Sequence, residues 1–75
     1  MKKLDLHGSR HHVVDRIVEN FIIDTYNKNE LPTEIITGNS QKMRDIVETV
    51  LDRHGFKSYS KYWIDGGSII VYESI

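Results

Sequence analysis

The sequence predicts an α/β protein: a two-layer α/β sandwich of order β-α-β-α-β-β with both helices on one face. Three observations carry this. Two segments place apolar residues at helical spacing, and each follows a short segment that alternates or is rich in β-branched residues. Two further alternating segments flank Asp65-Gly66-Gly67-Ser68, a tight-turn signal. Two helices on four strands cover one face of a sheet and leave the other open.

The elements follow in order. Lys3 to His7 sets Leu4 and Leu6 against Asp5 and His7, the pattern of a strand with one buried face. Gly8 and Ser9 break it, with Ser9 the expected helix N-cap. Val13, Val14, Ile17, Val18, Phe21 and Ile22 then form the stripe of an amphipathic helix of about five turns. Leu31-Pro32 leads into Thr33–Thr37, a second strand. After Gly38-Asn39-Ser40, a second helix carries Met43, Ile46, Val47, Val50 and Leu51. Gly55 stands where a helix-ending glycine belongs, and Phe56 can make the closing apolar contact. Ser58–Ile64 and Ile69–Glu73 form the hairpin. Helical links between the first three strands predict right-handed crossovers.

Composition narrows the function. The chain has 75 residues, so we expect residues 1–75 to form a single domain. It has no cysteine, which excludes disulfides and thiolate metal sites and fits a reducing, cytoplasmic setting. Met1-Lys2-Lys3 is not followed by an apolar run, so neither a signal peptide nor a membrane partner is expected. A formal net charge of −1 removes bulk attraction to nucleic acid. Any such binding needs a local concentration of positive charge.

The crossover loops supply one. Alternation puts Asp5 and His7 on the open face, at the carboxyl end of the first strand. Thr37, Gly38, Asn39 and Ser40 lie at the same edge, where open α/β sheets bind ligands. The first helix begins with Arg10, His11 and His12, and the second with Lys42 and then Arg44. Cations at a helix N-terminus oppose its dipole, which favours anions by roughly 0.3–1 kcal/mol each. A phosphate from outside accounts for both placements. On the hairpin, Tyr59, Lys61 and Trp63 alternate onto one face, a platform suited to unpaired bases. His54, near a helix C-terminus, has a structural reason to be there.

These residues resemble the Smr domain family, named for small MutS-related domains. Leu4-Asp5-Leu6-His7-Gly8 matches the family's LDLHG motif, and Thr37-Gly38 matches the start of its second motif. The resemblance implies a four-stranded mixed sheet in order 1-2-4-3 with the last strand antiparallel. It also implies endonuclease activity on RNA or DNA in which Asp5 and His7 are catalytic. Ser40 departs from the pattern, standing where the family has its second glycine.

The resulting expectation is an endonuclease acting on nucleic acid, RNA favoured over DNA, on substrate free or in a larger assembly such as the ribosome. His7 acts as general base with its tautomer fixed by Asp5. Arg10, Lys42 or Arg44 stabilises the phosphate. His11 and His12 are candidates for the second proton transfer. Substrate contacts are expected from Gly8, Arg10, His11, His12, Thr37, Gly38, Asn39, Ser40, Lys42, Arg44, Lys61 and Trp63. No cofactor and no metal are expected, because the His and Asp spacing matches no established ligand pattern. Two alternatives stay open: a nucleic-acid-binding module without catalysis, and a protein-interaction adaptor using the open sheet face.

Overall fold

The computed structural model describes residues 1–63 and 66–74, the side chains of Tyr62 and Trp63 excepted. Its elements are β1 (Lys2–Asp5), α1 (His11–Asn27), β2 (Thr33–Ile36), α2 (Gln41–Arg53), β3 (Phe56–Trp63) and β4 (Gly66–Ser74). They form the predicted α/β sandwich. The four strands run in order β1-β2-β4-β3, with β1 and β2 parallel and β4 antiparallel to both its neighbours. No helix among the described residues is long and apolar enough to cross a membrane.

Helix α1 buries Val14, Val18 and Ile22, four residues apart, and α2 buries Met43, Val47, Val50 and Leu51. These pack on Leu6, Ile35, Ile69 and Val71 of the sheet side. Each fully buried aliphatic side chain contributes about 1.5–3 kcal/mol. Thr25 and Thr33 are buried with them, and their hydroxyls donate to Phe21 O at 2.7 Å and Lys2 O at 2.6 Å. At the far end of α2, His54 is the C-cap residue and its ring nitrogen lies 2.8 Å from Glu19. Gly55 follows at φ 76°, and Phe56 is buried beyond it.

Three local expectations change. Ser9 is not the cap of α1: its N–H donates to Leu6 O at 2.9 Å, closing a turn, and the helix starts one residue later with Arg10 as N-cap. The strand β3 starts directly at Phe56 rather than Ser58. Gly66, Gly67 and Ser68 are not turn residues but the first residues of β4, paired with Trp63, Tyr62 and Lys61. Residues 64 and 65 lie outside the described residues.

The register also defines the face that no helix covers. Asp5 of β1 pairs with Ile36, Ile36 with Ser68, and Ser68 with Lys61. One row thus crosses the open face from Asp5 to Lys61. The row below it runs Lys3, Glu34, Ile70, Tyr59. Within these rows Glu34 accepts a hydrogen bond from the Ser68 hydroxyl at 2.6 Å and lies 3.8 Å from the Lys3 ammonium.

Candidate nucleic-acid interface at the crossover loops

The β1–α1 loop is built around Asp5. Its carboxylate accepts the His7 backbone N–H at 2.9 Å, a local side-chain turn that short acids form readily. The bond from Ser9 to Leu6 O closes the next turn, with Gly8 at φ 84° in the third of its four positions. That is the pattern of a type II turn, whose third residue needs positive φ. No atom stands within 4 Å of where a Cβ on Gly8 would be, so the requirement is conformational and not spatial. The outcome is an exposed His7 held at its backbone. The contact that Asp5 makes is with the His7 backbone N–H.

The β2–α2 loop meets it from the other side. Gly38, at φ 69°, lies against His7: a Cβ there would stand 3.8 Å from His7 Cδ2. The two sequence motifs are therefore in contact. What holds the second loop is a residue that sequence reasoning missed. Gly67 O accepts three hydrogen bonds, from Thr37 N and Gly38 N at 3.0 Å and from the Thr37 hydroxyl at 3.2 Å. This explains why Thr37 is only 3% exposed, and it removes Thr37 from the expected substrate contacts. The signal that could have found Gly67 was a glycine inside an alternating segment, which marks close backbone approach.

Arg44 is the clearest departure from expectation. It is 6% exposed, and its guanidinium donates to Gly38 O at 3.4 Å and Gln41 Oε1 at 3.5 Å. It lies so close over Gly67 that any Cβ there would collide with Nη2. It is not a surface cation awaiting phosphate. It braces the loop that carries Gly38.

The remaining residues stay at the edge. Arg10, His11, His12, Asn39 and Lys42 are exposed. Arg10 offers α1 no side-chain cap; Val13 N donates to Arg10 O at 3.1 Å, which leaves the N–H groups of His11 and His12 as the leading donors toward an anion. Neither helix has an acidic residue in its first turn. Ser40 caps α2, its hydroxyl accepting from Met43 N at 3.1 Å. The hydroxyl that replaces the family's glycine is thus engaged in the helix. Lys42 borders a groove of about 420 Å³ between the helices, shared with Asp15, Asp45, Ile46 and Thr49. Lys61 is half-buried at the far end of the Asp5 row. Trp63 lies on β3, but its side chain is outside the described residues, and with it the three-residue platform expected there. Among the described residues, no group of three or more His, Asp or Glu is placed to hold a metal ion.

The class is that of small α/β domains whose two crossover loops meet at the carboxyl edge of a parallel strand pair. Within that class, the family model of the Smr domain matches residues 4–72, and the chain belongs to the Smr domain family. That family makes it a nucleic-acid-binding and nuclease-type module. Searches of the curated proteins and of the solved structures returned no match.

Proposed function

We propose that this chain is a metal-independent endonuclease that cuts RNA, with His7 as the group that does the chemistry. The observation that carries this is the His7 site itself. An exposed imidazole stands against Gly38, its backbone held by Asp5, between two helix N-termini free of first-turn acids. In this reading, His7 takes the proton from a ribose 2′-hydroxyl, whose oxygen attacks the adjacent phosphorus and expels the 5′-oxygen of the next nucleotide. Asp5 holds the turn that presents the ring. Arg10, Lys42 and the leading N–H groups of α1 stabilise the charge that develops on phosphate. His11 or His12, at the first two positions of α1, returns a proton to the leaving oxygen. The substrate we propose is cytoplasmic RNA, free or carried by an assembly such as the ribosome.

The test is incubation with labelled RNA and DNA, single- and double-stranded, with and without EDTA. The expected result is RNA cleavage that survives EDTA and leaves a 2′,3′-cyclic phosphate and a 5′-hydroxyl. A strand with one 2′-deoxy sugar at the cut site should bind and resist cleavage. Activity that EDTA stops and that still cuts 2′-deoxy strands would overturn the mechanism in favour of metal-activated water. Binding without cleavage of any strand would favour a non-catalytic module.

A further inference from the structure

The aromatic residues of the open sheet face are not absorbed by the phosphate edge. Tyr59 on β3 and Tyr72 on β4 are 54% and 46% exposed, with ring centroids 5.9 Å apart and planes at 41°. Ile70 pairs with Tyr59 and lies two residues before Tyr72, yet it is only 4% exposed on a face that no helix covers. Its sheet neighbours therefore cover it. Among the described residues of β2, β3 and β4, the large apolar side chains left exposed are these two tyrosines alone.

We propose that Tyr59 and Tyr72 form a base-stacking platform for single-stranded nucleic acid, continuous with the His7 edge. This deepens the function proposed above by naming the strandedness of its substrate. Two observations point to that occupant. Tyr59 sits one row below the line from Asp5 to Lys61 and Tyr72 two rows below it, so a strand entering at the crossover loops reaches them in turn along one sheet face. The distance from β1 to β3 is about 14 Å, three strand spacings. Finally, the acids of these rows are engaged: Glu34 is bonded to Ser68, faces Lys3 and has a side chain only 17% exposed, and Asp5 accepts the His7 backbone N–H. Stacking is sequence-tolerant and needs bases free of a duplex, so the platform selects single strands.

The test is fluorescence anisotropy with labelled deoxy strands of about eight nucleotides, a length within single-strand site sizes. One strand carries bases, one is abasic with the same backbone, and one is in a duplex. Wild type should prefer the base-bearing single strand. Tyr59→Leu and Tyr72→Leu keep Ile70 covered but remove the ring. Each should weaken that strand by roughly 5- to 150-fold and leave the abasic strand unchanged. Tyr59→Phe and Tyr72→Phe should bind as wild type. Equal weakening of both strands, or no weakening, overturns the platform. So does a concentration-dependent dimer that the Leu changes abolish without base-dependent binding. The assay needs no cleavage. Base-dependent binding by a chain that cuts nothing would overturn the proposed function and leave the platform standing.

Discussion

Gly67→Ala adds one methyl group at the point where three elements meet. Gly67 is not at positive φ, so its backbone accepts alanine without strain. On backbone entropy alone, the change in a strand should stabilise by about 0.5–1 kcal/mol. The surroundings reverse that sign. The new Cβ collides with Arg44 Nη2 and stands 3.1 Å from Gly38 O and 3.3 Å from Lys61 O. The two carbonyls belong to backbone that cannot yield, so the guanidinium must move away from Gly38 O. Overpacking of this kind costs about 1–3 kcal/mol. The net expectation is a loss of about 1 kcal/mol, or roughly 4–8 °C in Tm for a domain of this size. Thermal and urea denaturation read it directly. The decisive comparison is the double change with Arg44→Ala, where the obstacle is gone. There only the contacts with Gly38 O and Lys61 O remain, so Gly67→Ala should cost less than it does in wild type, a coupling of about 0.5 kcal/mol or more. Strict additivity of the two changes would refute the brace.

The structure divides the two cations of α2. Lys42→Glu gains at the dipole but meets Asp45 and Asp15 around the same groove, so stability should stay within about 0.5 kcal/mol while nucleic-acid binding at low salt falls. Arg44→Glu should instead cost at least about 2 kcal/mol, because it buries a carboxylate facing Gly38 O. Ser40→Ala should cost about 1 kcal/mol by urea denaturation, whereas Ser40→Gly, which restores the family residue, should cost a few tenths. Asp24 has its carboxyl held below its ordinary value of 3.8 by hydrogen bonds from Lys2 and then Lys28. Its folded-state value is depressed, so its contribution is complete above 3.8 and disappears as pH falls through the lower folded value. Melting curves through that window should lose stability more steeply in wild type than in Lys2→Ala.

The helices and strands were legible because burial writes itself into spacing: Val14, Val18 and Ile22 repeat every four residues, and Leu4 and Leu6 every two. The contact between the two motifs was legible from parallel strands ending at one edge. Gly67 and Arg44 were not. Asp-Gly-Gly-Ser favours a turn by local chemistry, and only the pairing of Gly66 with Trp63 reveals a strand. An arginine in a first helical turn looks solvent-facing until the loop beneath it is known to present the Gly38 carbonyl. Both misreadings have one origin: a tertiary hydrogen bond outweighed a local preference. Ser9 shows the same on a smaller scale, its N–H drawn into the turn that the Asp5 carboxylate begins.

That turn makes the role of Asp5 separable by substitution. If the acid acts by holding the His7 backbone, any side chain with an oxygen at the position of Oδ1 suffices. Asn supplies one and carries no charge. Asp5→Asn should therefore keep the loop, the melting curve and a substantial part of the cleavage rate. Asp5→Ala loses the acceptor, which leaves an exposed N–H to water at a cost of about 1 kcal/mol, and frees the ring position relative to Gly38. A misplacement of about 1 Å can cost on the order of a hundredfold in rate, so cleavage should fall far more than stability does. Single-turnover rates on one RNA, measured beside melting curves, compare the two variants. An Asn variant as inactive as the Ala variant, with its melting curve unchanged, would refute the positioning role. The carboxylate's charge would then be what the reaction uses, stabilising the imidazolium as His7 takes its proton.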